Sequence, residues 1–125
     1  MAPTLIAIAV AGALGALARY GVNSFVSRRT GVDFPWGTLV VNVSGAFVLG
    51  LVFTLATERW AFTPWLRSGL TIGFLGAYTT FSTLSFETYK LAEDRDLGLA
   101  ALNMLGSCAA GLGAVYLGIV LARAV

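Results

Sequence analysis

Four long stretches without a charged residue limit what this 125-residue chain can fold into. They cover residues 1–18, 34–57, 68–86 and 97–122. Charged residues make up 11% of the chain and hydrophobic residues 58%, whereas soluble domains carry roughly 25% charged residues. A helix of about 20 residues crosses the apolar core of a bilayer, so each stretch is long enough to span it. We therefore predict an all-α membrane protein with four transmembrane helices.

Prolines and tryptophans mark the ends of the predicted spans. Pro35 and Pro64 precede the second and third predicted spans, and proline is common where a helix begins. Trp36, Trp60 and Trp65 fall near span ends, where the ring prefers to lie at the membrane interface. We predict spans over residues 4–26, 37–57, 65–91 and 97–122. The connections are too short for a soluble domain, so residues 1–125 are expected to form one membrane domain.

Basic residues are almost evenly divided between the two predicted faces of the membrane. The face with both chain ends carries Arg59, Arg67 and Arg123, and the other carries Arg28, Arg29, Lys90 and Arg95. An excess of Lys and Arg keeps loops in the cytoplasm, so a chain without an excess can insert in both directions. Two oppositely inserted copies would form an antiparallel, dual-topology homodimer with its two-fold axis in the membrane plane.

The third stretch gathers hydroxyl side chains in the segment GAYTTFSTLSFE, residues 76–87. They belong to Thr79, Thr80, Ser82, Thr83 and Ser85. These positions point around the whole circumference of a helix, so no orientation hides all of them from lipid. Hydroxyls that bond their own helix also tend to bend it. With Gly73 and Gly76 alongside, they predict a helix broken near residues 76–80, which survives at bilayer depth only beside protein or a watery cavity.

The predicted break offers ligands to ions of either sign. Freed carbonyl oxygens suit a hard cation such as Na⁺. The donors available to an anion are the N–H or O–H groups of Asn42, Ser82, Thr83 and Ser107 and the positive ring edge of Phe81. None is a full charge that would trap a small anion, and conduction requires release as well as binding. The alternative for Asn42, and for Asn103 in the fourth span, is simple bonding to a neighbouring helix.

Two charged residues near span ends each have two possible roles. Arg19 either reaches the lipid headgroups or draws anions into a vestibule. Glu87 is either a surface charge or a partner that turns toward the pore. The sequence leaves both alternatives open.

Several other functions have little support in the sequence. A proton-coupled multidrug exporter of the small four-helix type needs a carboxylate within a span, and the first span has none. A structural subunit predicts polar residues scattered for packing rather than concentrated at one break. An enzyme needs a carboxylate pair or a nucleophile beside a base, and the spans contain neither. The net charge of +2 is spread along the loops, which gives no support for nucleic-acid binding.

The segment GFLGAYTTFST, residues 73–83, resembles the G-F-x-G-x-x-T-T-F-S-T signature of the CrcB/Fluc fluoride channels. Three further segments agree with this family: GALARY at 15–20, PWGT at 35–38 with the following Val41-Asn42, and GAF at 45–47. The resemblance covers essentially the whole chain, and the motif in the third span is highly specific.

The resemblance implies a channel through which F⁻ leaves the cytoplasm passively, in the inner (plasma) membrane of a prokaryote. It implies an antiparallel homodimer with two pores and a central structural Na⁺, held by the backbone carbonyls of Gly76 and Thr79 of each subunit. By motif position, the pore-lining residues are Asn42, Phe81, Ser82, Thr83, Glu87 and Ser107, with Arg19 at the vestibule. The family usually has a second phenylalanine where this chain has Leu84, so fluoride binding there is expected to be weaker or differently built.

Overall fold

The computed structural model describes all 125 residues, which form helices and no strands. The helices are α1 (Ala2–Thr30), α2 (Trp36–Arg59), α3 (residues 64–78), α4 (Phe81–Glu93) and α5 (Leu97–Ala124). Short π-helical stretches lie at Leu55–Arg59 in α2, Gly69–Leu75 in α3 and Leu102–Gly106 in α5. The prediction of an all-α fold is confirmed.

Three of these helices, α1, α2 and α5, are long and apolar enough to cross a membrane. The chain is therefore a multi-pass membrane protein. The predicted spans 4–26, 37–57 and 97–122 lie inside these three helices, and the predicted span 65–91 falls on α3 and α4 together. At about 1.5 Å of rise per residue, neither α3 nor α4 alone reaches across an apolar core of roughly 30 Å.

Helices α2 and α5 pack together and run in the same direction. In the first half of the pair, Asn42 and Ser107 line the same cleft. At the end of the pair, Arg123 forms an ion pair with Glu58 at 2.8 Å, and the Arg59 guanidinium donates to the Arg123 carbonyl. Because contacts advance along both helices in the same direction, both helices point toward the same face of the molecule.

Helices α1 and α3 also run parallel and in close contact. A Cβ added to Gly69 would lie 3.2 Å from the Ala7 side chain, and one added to Gly15 would lie 2.2 Å from the Phe74 carbonyl oxygen. Glycine is required at position 15 because any side chain there would collide with the backbone of α3. Small residues thus allow backbone-to-backbone packing, as is common in membrane bundles.

Two extended residues separate α3 from α4. Tyr78 is the last helical residue of α3, Thr79 has ψ 157° and Thr80 has φ −149°, and helix resumes at Phe81. The Tyr78 and Thr80 side chains are buried, whereas Phe81 is 73% exposed. The link therefore lies against the rest of the chain, and the helix that follows turns its first aromatic ring outward.

The contact between α2 and α5 gives a stability prediction. A Cβ on Gly118 would lie 2.2 Å from the Phe47 carbonyl oxygen, so Gly118→Ala should force the backbones apart and cost about 1–3 kcal/mol. Gly21 has no atom within 4 Å of an added Cβ, and Gly21→Ala should be neutral or slightly stabilising because alanine favours helix. Unfolding of both variants in mixed detergent micelles measures the difference, and equal stabilities would contradict the predicted packing.

Candidate functional site

The side chain of Asn42 holds the extended link between α3 and α4. Its Nδ2 donates to the Thr80 carbonyl at 3.0 Å, and its Oδ1 accepts from the Thr80 N–H at 2.8 Å. Helix α2 comes close enough for this because position 45 is glycine, where an added Cβ would lie 2.3 Å from Thr79 Cγ2. One amide side chain thus takes the place of the helical acceptor that the Thr80 N–H has lost, and it also binds the Thr80 carbonyl.

The side chain of Thr80 begins helix α4. Its Oγ1 accepts from the Thr83 N–H at 3.2 Å and lies 3.0 Å from Thr83 Oγ1. A threonine that accepts from the N–H three residues later is a standard helix N-cap. On the other side of the link, both the N–H and the Oγ1 of Thr79 donate to the Leu75 carbonyl at 3.0 Å.

These bonds remove the usual helical hydrogen-bond donors of two backbone carbonyls, those of Gly76 and Thr79. In an uninterrupted α-helix the Gly76 carbonyl accepts from the Thr80 N–H, and the Thr79 carbonyl accepts from the Thr83 N–H. Here the first N–H donates to Asn42 Oδ1 and the second to Thr80 Oγ1. The two carbonyls that the family resemblance implies as cation ligands have therefore lost their helical donors.

A polar cleft of about 190 Å³ opens between α1, α2 and the start of α4. We call it the arginine cleft, and its lining comprises Ala16, Arg19, Tyr20, Asn23, Thr38, Val41, Thr80 and Thr83. Asn23 was not recognised from the sequence. Its only signal was its position, one helical turn after Arg19 and hence on the same face. The cleft combines one cationic side chain with hydroxyl and amide groups, which is a chemistry suited to an anion.

A second cleft, of about 290 Å³, lies on the Phe81 side of the link. We call it the phenylalanine cleft, and it is lined by Asn42, Ala46, Leu49, Thr79, Thr80, Phe81, Leu84, Ser107, Cys108 and Val115. Leu84, which stands where a second phenylalanine was expected, is only 6% exposed and belongs to the packed interior. Ser107 Oγ is buried without a hydrogen-bond partner in the single chain, so its capacity to donate is unused.

Glu87 turns toward α2. The Thr38 Oγ1 donates to Glu87 Oε1 at 2.9 Å, and Glu87 Oε2 is buried without a partner. Glu87 also lines a third cleft of about 300 Å³, beside Lys90 and Asp94 and the residues that precede α2. Since Thr38 lines the arginine cleft, this bond connects that cleft with the third cleft.

One chain does not bring all the suggested pore residues into a single cavity. Asn42, Phe81 and Ser107 share the phenylalanine cleft, and Arg19 and Thr83 share the arginine cleft. Ser82 lies on the exposed side of α4, with its Oγ 3.3 Å from Thr80 Oγ1. Thr80 is the residue common to both clefts. Each cleft is open at the surface of the single chain.

Asn103 has the structural role that the sequence left as an alternative. It is 1% exposed, and its Nδ2 donates to Thr88 Oγ1 at 2.9 Å, which ties α5 to α4. Asn42 also bonds a neighbouring segment, but it does so at the link and beside a cleft, so the two alternatives for Asn42 are not exclusive.

Comparison with known proteins places the chain in a family. A family model described as "CrcB-like protein, Camphor Resistance (CrcB)" matches residues 6–119. The chain belongs to the CrcB family. A protein of Geobacter sulfurreducens named Fluoride-specific ion channel FluC is 51% identical over 120 residues, which cover 96% of this chain and 97% of that protein. Proteins of the same name from Citrifermentans bemidjiense and Solibacter usitatus are 49% and 47% identical to this chain. The alignments cover 97% and 95% of the lengths of those two proteins.

CrcB membership confirms the resemblance inferred from residues 73–83 and the three shorter segments. The curated relatives carry the name of a channel and not of an enzyme, in agreement with the expectation from the spans. The matched region includes most of α1, all of α2, α3 and α4, and most of α5, so it contains both clefts and the extended link.

The bond between Thr38 and Glu87 gives a second prediction. Thr38→Val keeps the shape of the side chain but leaves Glu87 Oε1 without its α2 partner, which should cost about 1–3 kcal/mol. Thr38→Ser keeps the hydroxyl and should retain most of the stability of the wild type. Thr57→Val is a matched control, because its exposed hydroxyl bonds only carbonyls of its own helix. Unfolding in mixed micelles compares the three variants, and equal losses for Thr38→Val and Thr57→Val would contradict a specific bond.

Proposed function

We propose that the protein is a fluoride-selective channel that lets F⁻ leave the cytoplasm passively and so protects the cell from fluoride. The observation that carries this proposal is the extended link at Thr79 and Thr80, held by Asn42 and flanked by two clefts with neutral donors. The names of relatives about 50% identical support the choice of ion. We place the channel in the inner (plasma) membrane of a prokaryote, because the curated relatives named above are bacterial.

Helices α3 and α4 together would form the third membrane crossing, broken at the link. Since α2 and α5 run in the same direction, α2 ends at the face opposite to the one where α5 begins. Residues 60–96 must therefore pass from one face to the other. The only helices in that segment are α3 and α4, and each is too short to cross alone. This arrangement supports one domain, residues 1–125, with four crossings and a broken third helix.

Two oppositely inserted copies would complete the pathway as an antiparallel homodimer. In a single chain the phenylalanine cleft is open, Phe81 is 73% exposed, and Ser82 also faces outward. A second copy in the opposite orientation could cover these groups and, by symmetry, create two pores. The even distribution of basic residues between the two faces permits both directions of insertion.

The residues at the link fit a structural Na⁺ between the two subunits. The ligands from each chain would be the carbonyl oxygens of Gly76 and Thr79, whose helical donors are directed to Asn42 and Thr80. Carbonyl oxygens are hard ligands of the kind that Na⁺ accepts at broken helices. A bound Na⁺ would supply positive charge beside the pores and join the two copies.

Fluoride would pass along neutral donors after attraction by one cation. The Arg19 guanidinium in the arginine cleft raises the local anion concentration. The donors beyond it are the spare N–H of Asn42, the hydroxyls of Ser82, Thr83 and Ser107, and the ring edge of Phe81. They can replace water around a small anion without holding it permanently. Glu87 would end this polar track, while Leu84 offers packing but no ring edge.

The direct test of the proposed function is ion efflux from liposomes. Purified protein should release F⁻ rapidly and Cl⁻ almost not at all, because narrow sites rich in donors favour the smaller anion. A fluoride electrode and a chloride electrode outside loaded vesicles measure the two rates. Protein-free vesicles give the background, and Phe81→Ile should slow F⁻ release by removing the ring edge. Equal leakage of the two anions through the wild-type protein would contradict the assignment.

The antiparallel arrangement has a separate test in intact cells. Ala61 and Val32 lie in exposed loops at opposite faces, and each can be replaced by cysteine in a Cys108→Ser background. A membrane-impermeant maleimide should label about half of the copies at either position, with the rest labelled after permeabilisation, because dual insertion exposes each loop on both sides. Complete labelling at one position and none at the other would show a single orientation.

A further inference from the structure

We propose that Asn42 and Thr80 are positioning residues for the cation site, because their side chains take up the N–H groups that would otherwise occupy its carbonyl ligands. The inference rests on the proposed Na⁺ and goes beyond it, since it assigns the cause of the site to two side chains. Neither side chain needs to touch the cation. Each acts by competing with a backbone carbonyl for one donor.

Asn42 frees the Gly76 carbonyl. Its Oδ1 lies 2.8 Å from the Thr80 amide nitrogen, a good hydrogen bond, and this amide makes no bond to the backbone. Its Nδ2 bonds the Thr80 carbonyl at the same time, which fixes the amide plane against the link. Only a side chain with one acceptor and one donor at this separation can satisfy both groups. Asparagine meets this condition, whereas aspartate offers two acceptors and leucine offers neither.

Thr80 frees the Thr79 carbonyl. The Thr83 N–H, which is the helical donor for that carbonyl, bonds Thr80 Oγ1 at 3.2 Å. Capping thus serves two purposes, since it begins α4 and leaves the preceding carbonyl without a donor. Serine at position 80 would retain the oxygen. Valine would keep the shape of the side chain but lose this oxygen, so that the Thr83 N–H would be free to bond the Thr79 carbonyl.

The two devices act on opposite ends of the same link and depend on close packing. Asn42 belongs to α2, which lies close to the link because residue 45 is glycine. Thr80 is only 9% exposed and lies between the two clefts. Water therefore has limited access to compete for these donors. We expect the two carbonyls to stay free in the wild-type protein because both alternatives to helix bonding are preorganised.

Sodium-dependent thermal stability tests this inference without requiring ion flux. Purified protein in N-methylglucamine buffer is titrated with NaCl, and the Na⁺ concentration that gives half of the stabilisation is measured for each variant. Thr80→Val and Asn42→Leu should raise this concentration at least tenfold, whereas Thr80→Ser should stay within about twofold of the wild type. Thr71→Val and Ser44→Ala are matched controls. The Thr71 hydroxyl bonds only the Arg67 carbonyl. The Ser44 hydroxyl bonds only the Val41 carbonyl and the Tyr78 hydroxyl. The controls should leave the half-point unchanged.

The outcomes separate the inference from the proposed function. If the wild type is stabilised by Na⁺ and Thr80→Val keeps the wild-type half-point, the two side chains do not create the site, and the inference fails while the channel assignment stands. If Na⁺ does not stabilise the wild type, the cation itself and this inference both fail, and F⁻ efflux from liposomes still decides the channel. Should Asn42→Leu fail to fold, the pair Thr80→Val and Thr80→Ser carries the test alone.

Discussion

The structure depends on one constraint, which is that backbone polar groups at bilayer depth need partners within the protein. An extended link inside a membrane protein exposes the amides and carbonyls that a helix would have paired with one another. At Thr79 and Thr80 these groups find two kinds of partner, the Asn42 side-chain amide and the Leu75 carbonyl, while the Thr80 hydroxyl accepts from the N–H of Thr83. The link is stable because these partners replace helical hydrogen bonds. The carbonyls of Gly76 and Thr79 receive no such replacement, and they are therefore the groups proposed to bind a cation.

Close packing of the helices brings the Asn42 side chain within hydrogen-bond distance of the Thr80 backbone. Glycine at position 45 lets α2 lie against Thr79 and Tyr78, and glycine at position 15 lets α1 lie against the backbone of α3. These contacts hold the segment before the link from two sides. A bundle with larger residues at these positions would keep its hydrophobic character and its span lengths, but it would move the amide of Asn42 away from Thr80. Packing and polar chemistry are therefore parts of one arrangement.

Much of the fold could be predicted because it follows from local properties of the chain. Span lengths and helix ends depend on hydrophobic length, prolines and interfacial tryptophans, and the five hydroxyls beside Gly76 indicated an irregular segment. The partners of that segment could not be predicted, because they depend on which residues of other helices lie opposite. The bond of Asn42 to Thr80, the bond of Thr38 to Glu87 and the burial of Leu84 are all of this kind. Asn23 was missed for the same reason, since a lone asparagine in a helix carries no signal until its neighbours are known.

Thr79 and Thr80 are extended while their neighbours are helical, and the proposed function depends on this break. Magic-angle-spinning NMR on uniformly ¹³C,¹⁵N-labelled protein in lipid bilayers measures this directly through the Cα and Cβ chemical shifts of each residue. We expect extended shifts at Thr79 and Thr80 between helical shifts at Tyr78 and Phe81. Helical shifts throughout residues 76–83 would contradict it, because a continuous helix leaves neither carbonyls nor amides free to meet an ion.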